Sequence, residues 1–199
     1  MKRRNFIQNS TLTAASLMAV NPLFSNNNSN PNHVYNLNYA PHFGMFKNHA
    51  GSDIFNQLEF IKDQGFKAFE DNGMKNRDVK TQEIIGNFLS KNNMKMGVFV
   101  AHKIYWNEPN LASGDLNKRN EFLNDISTSI DVAKRVNAKW MTVVPGHLDL
   151  RKDMNYQTQN VIETLKQAAE LLEKHDLTMV LEPLNFRDHP GLFLTESPQ

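Results

Sequence analysis

The 199-residue sequence predicts an α/β protein, a (β/α)₈ TIM barrel of which it contains about the first five strands and four helices. Three observations favour this fold. Short apolar segments alternate with amphipathic helical segments, as in parallel βαβ units. Polar and ionisable residues directly follow the predicted strands, where a barrel carries its active site. An open doubly wound sheet would instead place a glycine-rich phosphate loop after an early strand, and the sequence has none.

The predicted elements begin with a strand over 34–40, in which apolar and polar residues alternate. A helix over 54–64 follows, with one apolar stripe and Asp53 as its N-cap. Residues 66–70 are predicted as the second strand. The next helix, over 77–91, again carries its apolar residues on one stripe.

The third predicted strand, over 96–101, is a continuous apolar run, as expected of a parallel strand that is buried on both faces. A helix over 119–136 leads to the fourth strand, over 139–144. A helix over 155–175 then leads to the fifth strand, over 177–184, which is nearly all apolar. These connections have the length of right-handed parallel crossovers.

Residues 33–199 are thus predicted to form a partial barrel domain. A closed barrel needs about 250 residues, and only about 165 follow residue 32. An unclosed set of five strands would leave two sheet edges unpaired, which favours aggregation. We therefore expect the chain to be part of a longer protein. The alternative is a homo-oligomer in which a second copy completes the barrel.

Residues 1–32 are predicted to be an export signal and an Asn-rich linker. Arg3 and Arg4 precede a weakly apolar run from Thr11 to Phe24, which is too short and too polar to span a membrane. This pattern is typical of export signals, and the arginine pair resembles the twin-arginine type. We expect a periplasmic protein whose signal is either cleaved or retained as an anchor. The alternative is an amphipathic first helix of the domain.

The composition is that of a globular protein with enough apolar residues for a core: 40% of residues are hydrophobic and 22% are charged. The formal net charge of +1 provides no large basic field, so no nucleic-acid partner is expected. Because the sequence contains no cysteine, thiol catalysis, thiolate metal sites and disulfide bonds are excluded.

The candidate site residues are the polar side chains that follow the strands: His42, Glu70, Asp71, His102, His147, Glu182 and Asn185. Glu182 is the most informative, because a carboxylate in an apolar strand is costly to bury without a cation or hydrogen-bond partners. His102 and His147 could bind substrate hydroxyl or carboxylate groups, or be hydrogen-bonded histidines at the rim. The carboxylates of Glu70 and Asp71 could flank the substrate or cap the next loop.

The segment 181–194 resembles the hydroxypyruvate isomerase branch of the xylose isomerase-like sugar isomerase/epimerase barrels. In that family, Glu-x-x-Asn runs into Arg-Asp-x-Pro-Gly-x-x-Leu, and the matching residues are Glu182, Asn185, Arg187, Asp188, Pro190, Gly191 and Leu194. The resemblance implies a divalent cation, with Mg²⁺ or Mn²⁺ expected. It makes Glu182 both a metal ligand and the acid/base residue. The remaining ligands, an Asp, a His and a second Glu, would lie beyond residue 199.

Asn185 and Arg187, like His102 and His147, are expected to bind the substrate. Arginine binds carboxylates well, so Arg187 could hold an anionic group; the alternative is a salt bridge to Asp188 or to a neighbouring loop. The preferred function is an isomerase or epimerase that moves a proton in a small sugar or hydroxy-keto acid through an enediolate. A metal-independent glycoside hydrolase using Glu70 and Glu182, or a non-catalytic sugar-binding barrel, remains open. An endonuclease-like protein is less favoured, since it would need several metal-binding histidines and a basic face.

Overall fold

The computed structural model describes residues 35–196, in which short parallel strands alternate with α-helices. The helices are α1 (Lys47–Ala50), α2 (Ile54–Asp63), α3 (Val79–Lys91), α4 (Leu116–Val136) and α5 (Met154–Glu173). The strands are β1 (Ala68–Phe69), β2 (Lys95–Met96), β3 (Trp140–Val143) and β4 (Thr178–Leu181). The predicted export signal and linker lie outside the described residues.

The strands pair in parallel and in chain order, as in a barrel wall. β1 pairs with β2, and β3 pairs with β4 from Trp140 opposite Thr178 to Val143 opposite Leu181. A parallel bridge from β3 to residue 100 joins the two pairs. The predicted fold class is confirmed: this is part of an α/β barrel.

The first predicted strand is wrong for its described residues, 35–40, which form no strand. The chain pairs with the end of β1 just after residue 40. There, His42 forms a parallel bridge with Glu70, and the Glu70 N–H donates to the Pro41 carbonyl at 3.1 Å. Large apolar side chains in this segment, such as Leu37, are exposed. This segment has a neighbouring strand on one side only. Its alternating apolar residues therefore do little to stabilise a strand.

The third predicted strand, over 96–101, is divided between two neighbours. Up to Gly97 it pairs with β1, and the Gly97 N–H donates to the Phe69 carbonyl at 2.7 Å. From Phe99 onward it pairs with β3, since the Thr142 N–H donates to the Phe99 carbonyl at 2.8 Å. β2 is therefore shorter than predicted, because the chain changes hydrogen-bonding partner within the apolar run.

The four long helices all begin in the same way. Asp53, Asp78, Asp115 and Asp153 are their N-caps, and each carboxylate accepts a hydrogen bond from backbone N–H groups of the first turn. This satisfies donors that have no partner within the helix. Asp53 was predicted to have this role. Asp115 explains why α4 begins three residues before the predicted start.

The core lies between the strands and the helices that cover them. Its fully buried side chains include Leu58, Phe69, Ile85, Phe99, Ile126 and Met141. α3 and α4 approach closely at Gly86, where a Cβ atom would lie 2.1 Å from the Arg135 carbonyl oxygen. No helix within residues 35–196 has both the length and the hydropathy of a membrane span.

Candidate active site

The carboxyl ends of the strands bring the predicted site residues to one edge of the sheet. His42 bridges to Glu70 beside the end of β1, and His102 follows the segment that pairs with β3. Glu182 directly follows β4, and its N–H donates to the Val143 carbonyl at 3.1 Å. Because parallel strands end together, side chains far apart in the sequence share one edge.

Glu182 presents a free carboxylate at this edge. Its side chain is exposed, and none of the hydrogen bonds or ion pairs formed within residues 35–196 involves its carboxylate. The structure therefore leaves both carboxylate oxygens available to a cation or a substrate.

Glu70 shares the electrostatic environment of Glu182. Burial raises the pKa of the Glu70 carboxyl above its ordinary value of 4.5; the charge of His42 opposes this rise, and the Glu182 carboxylate adds to it. The Glu182 carboxylate therefore contributes to the raised pKa of Glu70, although the two residues end strands that are three positions apart.

Asp71 has a structural role, although it directly follows Glu70 in the sequence. Its side chain is 6% exposed. One oxygen accepts from the Gly73 N–H at 3.1 Å, and the other accepts from Arg77 Nε at 2.5 Å. The Arg77 guanidinium also lies over the Phe43 ring, 4.8 Å from its centroid. Of the two roles considered for Asp71, the structure shows the loop cap.

His102 is only 4% exposed, and both of its ring nitrogens are occupied. Nε2 accepts from the Val144 N–H at 3.1 Å, so Nδ1, which lies 2.8 Å from the Lys103 carbonyl oxygen, must carry the proton. The ring also packs edge-on against Phe122. This geometry favours a hydrogen-bonded rim histidine that joins two neighbouring strand ends; substrate contact by His102 stays a prediction.

The neutral His102 ring makes stability dependent on pH. Burial lowers its pKa to about 4, against the opposing effects of the Lys103 carbonyl and the Asp125 carboxylate. In the unfolded chain the His102 ring takes up a proton near pH 6.5, whereas in the folded chain it does so only near pH 4. We therefore expect stability to fall as the pH drops through this window, by up to about 3 kcal/mol.

The measurement is urea unfolding between pH 7 and pH 4.5, with His102→Gln as the matched variant. The glutamine amide oxygen can accept a hydrogen bond from the same Val144 N–H group, but the amide does not titrate. The variant should lose less stability over this range than the wild type. Equal losses in the two proteins would show that His102 is not the group responsible.

His147 lies under the loop that follows β4. Its Nδ1 is 2.8 Å from the Leu148 carbonyl oxygen, and its ring fills the position that a Cβ atom on Gly191 would take. Gly191 also has a positive φ of 86°, which glycine adopts without strain. The Leu148 N–H donates to the Gly191 carbonyl at 2.7 Å. Through Gly191, the Pro-Gly part of the motif thus packs the loop after β4 against the loop after β3. Substrate contact by His147 stays a prediction.

Asn185 organises the same loop. Its Oδ1 accepts from the N–H groups of Arg187 and Asp188, both at 3.1 Å, and its Nδ2 donates to the Asp188 carboxylate at 2.9 Å. The Arg187 side chain is exposed, and its guanidinium forms no ion pair with any described residue, Asp188 included. The Arg187 guanidinium is therefore available to bind an anion. Substrate contact by Arg187 and by Asn185 stays a prediction.

The network that supports the His102 segment was not predicted. Lys75 Nζ donates to the carbonyls of Ala101 and Asp125 and to the Asp125 carboxylate, each at 2.8 Å. The second oxygen of that carboxylate accepts from the Lys103 N–H at 3.0 Å. Lys75 and Asp125 are 50 residues apart, so no local pattern could indicate this pair.

A metal ion at this edge would need ligands beyond those described. Within residues 35–196, no three His, Asp or Glu side chains converge on a point that could hold a metal ion. Glu182 fits as one ligand, because a free carboxylate suits a hard divalent cation. The described stretch thus holds at most part of a ligand set.

Comparison with known proteins identifies the fold family. Residues 58–196 match the xylose isomerase-like TIM barrel family. No curated protein matches the sequence.

Solved structures with the same fold include a family 2 AP endonuclease from Brucella melitensis, at 22% identity and a TM-score of 0.65, covering 78% of this chain and 58% of that one. D-Psicose 3-epimerase with D-tagatose, from Clostridium cellulolyticum H10, has 14% identity and a TM-score of 0.59, covering 78% and 55%. The IolI protein with a bound zinc atom has 13% identity and a TM-score of 0.58, covering 78% and 54%.

The match thus extends over little more than half of each of these relatives. At such low identities, the structural likeness shows the fold alone. The sequence match is independent of it and covers most of the described residues, from α2 to the end of the loop after β4. This chain therefore belongs to the xylose isomerase-like TIM barrel family.

Proposed function

We propose that this chain is part of a divalent-metal-dependent isomerase or epimerase, similar to hydroxypyruvate isomerase, that acts on a small sugar or hydroxy-keto acid. The observation that carries the proposal is the Glu182 carboxylate, which stands exposed and unpartnered among the described residues at the carboxyl end of β4. The Glu-x-x-Asn motif that begins at this residue supports the same assignment.

Two structural relatives support the reaction class and the metal. One is a sugar 3-epimerase whose structure contains D-tagatose, and the other contains a zinc atom. We infer that Mg²⁺ or Mn²⁺ serves this protein, with the remaining ligands supplied from outside residues 35–196. We also propose export through the twin-arginine signal, which would suit a protein that acquires its metal before it leaves the cytoplasm.

The residues of this chain would then have separate roles in the reaction. Glu182 would hold the cation and take a proton from the carbon next to the substrate carbonyl, and a second glutamate of the family's ligand set would return a proton to the enediolate. A bound divalent cation would stabilise the negative charge that develops on the substrate oxygen. Arg187, presented by the turn that Asn185 organises, would bind an anionic group of the substrate. His102 and His147 would keep the strand ends and loops in place around the reacting carbon.

Chelation tests this proposal against the glycoside hydrolase. The full-length protein would be incubated with hydroxypyruvate, D-tagatose and D-fructose, and the products followed by NMR. We expect conversion of at least one of these compounds, loss of that activity in EDTA, and recovery on addition of Mn²⁺ or Mg²⁺. Cleavage of nitrophenyl glycosides in EDTA, with loss in Glu70→Gln, would instead identify a hydrolase. Sugar binding without conversion would indicate a non-catalytic barrel.

A further inference from the structure

The hydrogen-bond ladder along β3 ends earlier than its own pattern predicts. The Thr142 N–H donates to the Phe99 carbonyl at 2.8 Å, and the Ala101 N–H donates to the Thr142 carbonyl at 3.1 Å. In a parallel ladder the next bonds would run from the Val144 N–H to the Ala101 carbonyl and from the Lys103 N–H to the Val144 carbonyl. Both of these N–H groups donate to side chains instead.

Two side chains replace the carbonyl groups that would continue this ladder. The Val144 N–H donates to Nε2 of His102 at 3.1 Å, and the Lys103 N–H donates to the Asp125 carboxylate at 3.0 Å. An imidazole nitrogen can accept a hydrogen bond only while it carries no proton. The joint between the two strand ends therefore depends on the charge of the His102 ring.

The Ala101 carbonyl accepts hydrogen bonds from side chains rather than from the chain after β3. Lys75, in the 3₁₀ turn after β1, donates to it from Nζ at 2.8 Å, and Ser129 of α4 donates from Oγ at 2.6 Å. Lys75 Nζ also donates to the Asp125 carboxylate at 2.8 Å, in an ion pair whose side chains are 18% and 22% exposed. The carbonyl thus has two donors of its own, and the Val144 N–H is left to the histidine.

The same ion pair sets the charge around His102. Among the described residues, the charged side chains that act on the ring are Asp125, which favours its protonated form, and Lys75, which opposes that form. Phe122 of α4 packs edge-on against the ring, and the chain after β3 contributes the Val144 N–H. Burial is the largest cause of the low pKa of His102, and Lys75 limits the extent to which Asp125 reverses it.

We propose that Lys75 and Asp125 are positioning residues for the carboxyl edge: the charge of Lys75 keeps the His102 ring neutral, and the ring then holds the end of β3 in place of a ladder bond. Protonation of the ring would break the bond to Val144 and release the strand end that leads into the loop of His147. The inference does not depend on the proposed reaction, because it concerns where two strand ends lie and not which substrate is bound there.

The test follows the ring nitrogens of His102 by NMR in the full-length protein labelled with ¹⁵N-histidine, from pH 7 to pH 3.5, with His102→Gln to identify the signals. Lys75→Met should make the ring titrate about one pH unit higher than in the wild type, because the Asp125 carboxylate is then unopposed. Asp125→Asn should make the ring titrate lower, so that less of it is protonated at pH 4.5. Lys80→Met removes an exposed lysine of α3 and should change nothing.

The opposite directions of the two effects distinguish this role from a merely structural one. If the network contributed packing alone, either substitution would loosen the ring and admit water, and the ring would titrate closer to its ordinary value of about 6.5 in both variants. A rise in both variants, or no change in either, would overturn the inference. If Lys75→Met does not fold, Asp125→Asn decides: a lower value supports the inference, and an unchanged or higher value overturns it.

Hydrogen exchange in the wild type tests the joint without any substitution. As His102 becomes protonated, exchange of the Val144 amide hydrogen should rise at least about tenfold relative to its intrinsic rate, since the amide loses its acceptor. The Thr142 amide donates to a backbone carbonyl and should stay protected. Protection of Val144 that stays constant through the titration of His102 would show that the charge of the ring does not control the strand end.

Discussion

Glu182→Gln is expected to reduce the metal-dependent turnover of the full-length protein by about a thousandfold, within the range found when an acid/base group is removed. The substitution keeps the size of the side chain but removes its negative charge and its basic oxygen. Stability should change little, since the Glu182 side chain is exposed and has no partner among the described residues.

The measurement is the rate of deuterium uptake from D₂O into the carbon next to the substrate carbonyl, because an enediolate exchanges that proton with solvent. Glu173→Gln, which neutralises an exposed carboxylate at the end of α5, is the matched control and should keep the wild-type rate. Normal deuterium uptake by Glu182→Gln would remove Glu182 from the site.

Gly86→Ala is expected to destabilise the domain by about 2–3 kcal/mol. The added methyl group would lie 2.1 Å from the Arg135 carbonyl oxygen and 3.0 Å from its carbonyl carbon, so α3 and α4 would have to separate. These are backbone atoms within a helix and cannot turn aside as a side chain would. The better helix propensity of alanine offsets only about 1 kcal/mol of this cost.

Urea unfolding followed by circular dichroism measures the effect, with Gly73→Ala as the control. Gly73 has a φ of −84°, and a Cβ atom there would meet Asp71 Oδ1 at an ordinary contact distance of 3.4 Å. That substitution should be neutral or stabilise by about 0.5 kcal/mol. Equal stability of the two variants would contradict the close approach of α3 to α4.

The helices were predictable because their signals are local. Apolar spacing marks the buried face, and an aspartate before the first turn marks the start, so α2 agrees with its prediction to within one residue at its end. The strands were less predictable, since a strand exists only through its neighbours. The first predicted strand has a suitable pattern, but its residues 35–40 form no ladder.

The positions of the candidate site residues along the chain were predictable, but the contacts of each side chain were not. A residue that follows an apolar strand reaches the carboxyl edge, and this places Glu70, His102 and Glu182 correctly along the chain. What each side chain contacts depends on distant residues. The Nε2 of His102, for example, is occupied by the N–H of Val144, 42 residues away.

The central claim is that Glu182 is a metal ligand, and the affinity of the full-length protein for Mn²⁺ tests it most directly. Titration followed by the electron paramagnetic resonance signal of free Mn²⁺ should reveal one specific site in the wild type. In Glu182→Gln this site should be weakened about tenfold to a hundredfold or lost, because a carboxylate ligand has been replaced by a neutral amide. Equal Mn²⁺ affinity in the two proteins, or no specific Mn²⁺ site in the wild type, would contradict the claim.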